Sequence, residues 1–399
     1  MGGALEGIRI VDLSRYLAGP YGSMLLADLG AEVVKIEPPE GDFSRFVHPH
    51  FYKGESAYFM SINRNKKSVV LDLKSPSGRE VVYDLVKVSD IVFDNYRPGV
   101  AERLKVDYDT LAPMNPRIIC CSLSGYGRTG PLKERPGFDT IVQARGGGMS
   151  LTGEPGKYYR MGIPVGDLAG GMFSAIGMLA ALQARQHTGK GQRVDVSLLS
   201  GQISLLTYQA AYHLLSGEVP EPVGQGHRTV VPIRAFRAKD GQFVVIECSN
   251  QKFWVNLCRA LGYPDLATDD RFVDGGARFA NQRELFTILE GIFLTRTAPE
   301  WLDAFEREEV PSAPINTVDR ALTEPQVIHE NMVVTVDHVL GGHVRMAGNP
   351  VKLSETPGET FVSPPTLGQH TAEITQGLLA YSSERLAELR AGGAFGKSK

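Results

Sequence analysis

Residues 8–36, IRIVDLSRYLAGPYGSMLLADLGAEVVKI, decide how this chain folds. Ile8–Leu13 is short, apolar and rich in β-branched residues, so it reads as a buried strand. Pro20 sits where a first helical turn accepts it, because an N–H there has no partner to lose. Tyr21–Leu29 carries apolar residues at helical spacing, and Gly30 is a C-terminal stop. Ala31–Ile36 returns as a second strand. The pattern continues with a strand at Ser68–Leu73, a helix across Gly78–Val88, and strands at Asp90–Asp94 and Ile118–Leu123. Strands alternating with helices imply crossover connections and a mostly parallel sheet covered on both faces, the α/β class.

After Gly125 the texture changes. Residues 125–171 are rich in Gly and Pro and read as loop. A helix follows over Leu168–Gln186, then a turn at His187–Gln192. Arg193–Leu199 reads as a strand or strand-to-helix junction, and Ser200–Leu215 as another helix. Gly217–Gly226 (GEVPEPVGQG) marks a linker. Beyond it, Arg234–Arg237 and Phe243–Cys248 form a hairpin around Asp240-Gly241. Helices are expected over Gln251–Leu261, Gln282–Leu294 and Ala298–Glu308, and a last one near Ser383–Arg390. The expected division is a large domain over 1–200 completed by 330–399, a linker over 201–228, and a small domain over 229–320.

Composition narrows the function. With 399 residues the chain exceeds the roughly 250–300 at which one core stops growing. Its formal net charge is −3, so a nucleic-acid partner held by a basic excess is not expected. The apolar stretch Met172–Leu182 is shorter than the roughly 18 residues of a membrane span, so no membrane partner is expected either. The N-terminus lacks a signal-peptide pattern. Cys120, Cys121, Cys248 and Cys258 form no CxxC pair, which suits a reduced, cytoplasmic compartment. No metal-ligand spacing is present; His48 and His50 lie two apart in a Pro-containing loop.

Two features carry chemistry. Gly125-Tyr126-Gly127-Arg128-Thr129-Gly130 matches G-x-G-x-x-G after a strand. A dinucleotide site needs a helix to begin there. Pro131 and Pro136 follow instead, and no helical pattern resumes until about Asp139, so a glycine-rich loop is the better reading. Asp167 stands just before the apolar helix. Free N–H groups there favour a carboxylate and predict that it stays ionised. It is either an N-cap or a reactive group. Gly146-Gly147-Gly148, Gly166, Gly170 and Gly171 flank it and allow close approach of backbone or ligand.

Several segments together resemble the class III coenzyme A-transferases, the formyl-CoA transferase and CaiB/BaiF family. They are Leu5–Leu13 (LEGIRIVDL), Leu17–Pro20 (LAGP), Leu29–Glu37 (LGAEVVKIE) and Asn63–Ser68 (NRNKKS). Asp94–Gly99 (DNYRPG), Gly125–Gly127, Thr188–Gln192 (TGKGQ) and Leu367–Thr371 (LGQHT) follow in the family's order. The resemblance implies a doubly wound, Rossmann-like large domain with a smaller α+β domain, in an interlocked homodimer. It implies Asp167 as nucleophile, with Ala18, Leu71, Asn95, Tyr96, Arg103 and Phe138 at the CoA site. Arg97, in the same loop, would meet a phosphate. It implies coenzyme A and acyl-CoA as substrates, with no permanently bound cofactor.

The chemistry follows from a carboxylate. An ionised Asp attacks a thioester carbonyl, giving a mixed anhydride and CoA thiolate. Backbone N–H donors from a glycine loop such as that at Gly226 would stabilise the oxyanion, each typically contributing about 3–4 kcal/mol. The racemase branch of the resemblance needs a histidine where this chain has Phe138, before Asp139. Asp139 then either assists a carboxylate mechanism or caps a helix. A CoA-ester-binding regulatory protein is the non-enzymatic alternative. Gly226–Phe236 resembles the branch acting on small dicarboxylates such as succinate. There His227 and Arg228 either supply charge for a second carboxylate or form a solvated linker turn.

Overall fold

The computed structural model describes residues 2–396. The chain divides into two compact units, one of Met1–Gly148, Arg160–Glu218 and Pro325–Lys399, the other of Met149–Tyr159 and Val219–Glu324.

The first unit is built on six parallel strands: β1 (Arg9–Asp12), β2 (Glu32–Glu37), β3 (Lys66–Val70), β4 (Ile91–Asp94), β5 (Ile119–Ser124) and β6 (Arg193–Ser197). Their order across the sheet is β6-β5-β4-β1-β2-β3, and every adjacent pair is parallel. The chain therefore winds outward from β1 one way, then from β4 the other. Alternate residues serve opposite faces. Ile10, Val33, Ile91, Phe93, Ile119 and Cys121 pack on one side; Val11, Val34, Val92 and Cys120 pack on the other. Burial on both faces is why the strands read as unbroken apolar runs.

The helices of this unit include α1 (Ala18–Asp28), α2 (Pro76–Lys87), α3 (Asp139–Arg145), α4 (Val165–Thr188), α5 (Leu198–Ser204) and α6 (Tyr208–Ser216). Three sequence readings need correction. The apolar helix starts at Val165 rather than Leu168, which puts Asp167 inside its first turn. The single helix expected over Ser200–Leu215 is two, broken where Thr207 takes a φ of 45°. Helical residues run to Ser216, so the linker does not begin at 201. Helix α4 is also longer than its apolar core suggested, 24 residues, and long and apolar enough to cross a membrane. It is instead a core helix, half buried and packed against α1, β5 and β6.

Glycines set how close it packs. A Cβ on Gly171 would stand 2.5 Å from the carbonyl oxygen of Ala18, and one on Gly22 2.7 Å from the oxygen of Gly171. Helices α1 and α4 thus cross backbone to backbone. A Cβ on Gly170 would meet Leu198 at 2.5 Å. The space beside these glycines is filled by protein, not left for a ligand.

In the second unit, Ile233–Arg237, Phe243–Glu247 and Ser312–Pro314 make an antiparallel sheet. Gly241 turns the hairpin at a φ of 81°. The helices Gln251–Leu261, Gln282–Phe293 and Ala298–Arg307 cover it around Trp254, Phe293, Trp301 and Phe305.

The glycine crossing makes a direct prediction. Gly171→Ala forces a methyl into a backbone carbonyl that cannot rotate away, and should lower unfolding stability by about 1–3 kcal/mol. Urea melts against the parent chain measure this, with Gly177→Ala, which meets only the Val194 side chain, as the milder control.

Candidate active site

The strand order reverses between β1 and β4, and in open α/β sheets a crevice forms there, outside the carboxyl ends. Its floor is the loop from β1 to α1, fixed by buried charge. Asp12 takes the Ser14 amide at 2.9 Å and the Ser23 hydroxyl at 2.6 Å. Lys35 donates to the Ser14 carbonyl and to Asp42, both at 2.8 Å. Lys66 donates to the Pro20 carbonyl at 2.8 Å and to Asp12 at 3.2 Å. Burial alone would raise the Asp12 carboxyl, but Lys66, Lys35 and two serines reverse that and hold it below its ordinary range. Asn95, at the end of β4, receives the Arg15 amide at 2.8 Å and donates to the Arg15 carbonyl at 2.7 Å. The next residue, Tyr16, is held at a φ of 65°, a left-handed conformation that a bulky side chain rarely adopts.

Over this loop opens a cleft of about 320 Å³. Ala18, Asn95, Tyr96, Arg97, Phe138 and Asp167, all expected at the site, lie on its wall. The end of β5 contributes Ser124 and the glycine loop after it Gly125, brought in because Gly125 and Gly137 meet within 2.7 Å of a Cβ position. No helix begins at Gly130, so the dinucleotide reading fails on its own criterion.

Asp167 sits at the start of α4 but does not cap it. Asp139 does: its Oδ1 accepts the amides of Gly166 at 2.9 Å and Asp167 at 3.4 Å. Its Oδ2 accepts from Gln143 at 2.8 Å, and Gln143 in turn accepts the Met161 amide at 2.9 Å. Gly166 is required here, since a Cβ would lie 2.7 Å from Val142. The expected helix cap is therefore real but belongs to Asp139, which caps α4 rather than its own helix. Both its oxygens are occupied, which leaves it ill placed as a free base.

This frees Asp167 for the cleft and changes its charge. Burial, then the negative charge of Asp139, pushes its carboxyl up to about 7; the helix-terminal amides pull the other way. The expectation of a fully ionised Asp167 is corrected: near neutral pH it is divided between acid and carboxylate.

Other expected residues fall elsewhere. Leu71 is buried in the core with Val81 and Leu85 of α2, so its side chain does not wall the cleft. Arg103 is exposed on the short helix Val100–Leu104. Gly226, His227 and Arg228 belong to the second unit. His227 Nδ1 accepts the amides of Thr229 and Val230, both at 3.2 Å, as a turn-forming residue does.

Sequence reasoning missed four residues. Arg15, Lys133 and Arg135 line the cleft. Tyr58, half-buried, feels Asp167 from nearby. Burial, then the charges of Asp167, Asp42 and Asp139, lifts its phenol to about 12, so it remains a neutral donor. The basic residues in loops beside quoted motifs were a usable signal for the first three; nothing local marked Tyr58. Among the described residues, no cluster of three or more His, Cys, Asp or Glu side chains is placed to hold a metal ion.

A family model described as CoA-transferase family III matches residues 5–371. The chain is 39% identical to the succinyl-CoA:glutarate CoA-transferase of Mus musculus, over 98% of this chain and 90% of that protein. It is 36% identical to the succinyl-CoA--D-citramalate CoA-transferase of Chloroflexus aurantiacus, over 97% of each. A crystal structure of a CAIB/BAIF family protein from Brucella suis superposes with a TM-score of 0.85 at 35% identity, covering 95% of this chain and 100% of that one.

The raised proton affinity of Asp167 has a thermodynamic consequence. The fold binds the Asp167 proton more tightly than the unfolded chain does, so this residue's contribution to stability falls as pH rises from about 4 to about 7. Asp167→Asn should match the parent chain at about pH 3.5 and be more stable at pH 8, in paired urea melts. In Asp139→Asn, a ¹³C NMR titration of Asp167 should show its midpoint move down, since a neighbouring negative charge is gone.

Proposed function

The chain belongs to CoA-transferase family III, and from that membership we propose that Asp167 is the nucleophile through which it moves CoA between carboxylic acids. The protein is a CoA-transferase, and its relatives are named for dicarboxylic acids; we take succinyl-CoA as donor and a small dicarboxylate as acceptor. The observation that carries the mechanism is a carboxylate relieved of capping duty by Asp139 and left facing a cleft walled by cations.

The ionised Asp167 Oδ attacks the thioester carbonyl, and the C–S bond breaks to give a mixed anhydride and CoA thiolate. The thiolate attacks Cγ of Asp167, releasing the first acid as its carboxylate and leaving an aspartyl-CoA thioester. The acceptor carboxylate attacks that Cγ, expelling the thiolate and forming a second anhydride. The thiolate then attacks the acceptor's carbonyl, and Asp167 leaves as a carboxylate. No step consumes or yields a net proton, and the bonds broken and formed are alike, so no nucleotide is required. A carboxylate of raised proton affinity is a stronger nucleophile than an ordinary one. Tyr58 supplies a neutral O–H donor close to the reacting carboxyl.

CoA fits the cleft through Ala18, Asn95, Tyr96 and Phe138, with Arg97 and the exposed Arg103 near its phosphates. Four free, buried cysteines suit a reducing compartment such as the cytoplasm. Helix α6 ends in Leu214 and Leu215, 80% and 88% exposed. Adjacent leucines bared to this degree support a homodimer that covers them.

Two experiments test these readings. Incubation with succinyl-CoA and hydroxylamine should leave a mass label on Asp167. Asp167→Ala should show neither label nor transfer, with activity down at least a thousandfold and the circular dichroism unchanged. A variant that still transfers CoA removes the covalent route. In sedimentation velocity, the parent chain should run with a two-subunit mass, and Leu214→Glu combined with Leu215→Glu should lose it.

A further inference from the structure

Arg15 differs from most cations that this chain takes out of water. Buried Arg278 is held by the Val231 and Phe272 carbonyls and by Gln251. The buried cations Lys35, Arg45, Arg64, Lys66 and Arg185 each meet a carboxylate within 3.2 Å. Arg15 does not. Its Nε is sealed from water and has no hydrogen-bond partner, and its guanidinium stands 5.6 Å from the Tyr96 ring centroid. It lines the same cleft as Asp167.

Its backbone is anything but loose. Asn95 brackets its amide and carbonyl, and Lys35 holds the carbonyl of Ser14 before it. So a guanidinium that meets the Tyr96 hydroxyl but keeps a desolvated, unpartnered Nε is presented into the reaction cleft from a rigid base. A desolvated N–H without an acceptor is unfavourable and calls for one from a ligand. The remaining cations on the wall, Arg97, Lys133 and Arg135, are exposed at the rim, where they suit phosphates that stay hydrated. A guanidinium offering Nε and Nη side by side suits a planar carboxylate held away from water.

Ala18 lies where α1 crosses α4 at Gly171, one helical turn beyond Asp167. Arg15 is three residues before Ala18. Arg15 and Asp167 thus line one cleft from different elements, the β1–α1 loop and the first turn of α4.

We infer that Arg15 binds the distal carboxylate of a dicarboxylic acyl group while its other end reacts at Asp167. This rests on the assignment of Asp167 as nucleophile and moves the second-carboxylate role from His227 and Arg228 to Arg15.

The test compares the parent chain with Arg15→Gln and Arg15→Lys, using glutarate and butyrate as acceptors of CoA from succinyl-CoA and from acetyl-CoA. Arg15→Gln should cut the glutarate-to-butyrate ratio of kcat/KM at least tenfold, chiefly through the KM for glutarate. Arg15→Lys, which keeps charge but loses the fork, should fall between. An unchanged ratio with a raised KM for every CoA thioester would assign Arg15 to the phosphates and overturn the inference. An unchanged ratio after replacement of Arg15 but a lowered one in Arg228→Gln would return the role to Arg228. Calorimetry of glutarate and butyrate binding to Asp167→Asn, with and without Arg15→Gln, separates the two proposals. Loss of the glutarate preference there supports the arginine even if the nucleophile is reassigned, and its retention sinks it.

Discussion

Two lysine ammoniums without access to water hold the active-site loop where it is. Lys35 and Lys66 each grip one backbone carbonyl, Ser14 in the β1–α1 connection and Pro20 in the first turn of α1, and each meets a carboxylate, Asp42 or Asp12. The apolar strands dictate where the chain leaves the sheet, but residues 13–17 belong to no ladder and their buried polar groups still need partners. An apolar pair of similar volume can be as stabilising as a buried ion pair, whereas removing one partner typically costs about 3–5 kcal/mol. The network is better understood as a positional device. It keeps Tyr16 in a left-handed conformation and directs Arg15 and Ala18 to the cleft. Had the loop been held only by solvent-exposed bonds, that strain would relax.

The second constraint is steric. Asp167 reaches the cleft because α4 lies against α1 at van der Waals distance between backbones, which only Gly22 and Gly171 permit. Its protonation reflects a division of labour between two carboxylates. Asp139, fully hydrogen-bonded, satisfies the helix amides. Asp167, deprived of that role, has its proton affinity raised by burial and by the charge of Asp139. A carboxyl adjusted this way costs stability when ionised, and groups so perturbed cluster at functional sites.

The strands were legible because burial on both faces writes unbroken apolar runs into the sequence, whereas their order, and with it the switch point, is set by tertiary pairing. Asp167 was visible as a carboxylate beside an apolar helix, readable as either a cap or a reactive group. The true cap, Asp139, is 28 residues away and reaches α4 only through tertiary structure. The motifs quoted from Asp12, from Lys35 to Glu37 and from Asn63 to Ser68 are more instructive. Most of their charged residues form the buried network under the loop rather than touching the cleft. A lysine or glutamate inside an apolar strand was the available signal, since such residues are almost never fully buried unless paired. Tyr58 left no comparable trace, because its proximity to Asp167 is a product of packing alone.

A net charge of −3 is no obstacle to an anionic substrate, because the cleft does not work through the average field. Cations at the rim are exposed and act over roughly a Debye length, about 8 Å at physiological salt; they collect a phosphate without dictating its pose. A guanidinium whose Nε is cut off from water acts only at contact, but there the low local dielectric strengthens each charge-assisted bond. Discrimination between a dicarboxylate and a monocarboxylate needs the second kind. A ligand lacking the distal carboxylate leaves the buried N–H unpaired, and that deficit, not any attraction at a distance, is what separates the two acids. The proposed division gives attraction of the polyanion and choice of the acid to different cations, by their depth in the same cleft.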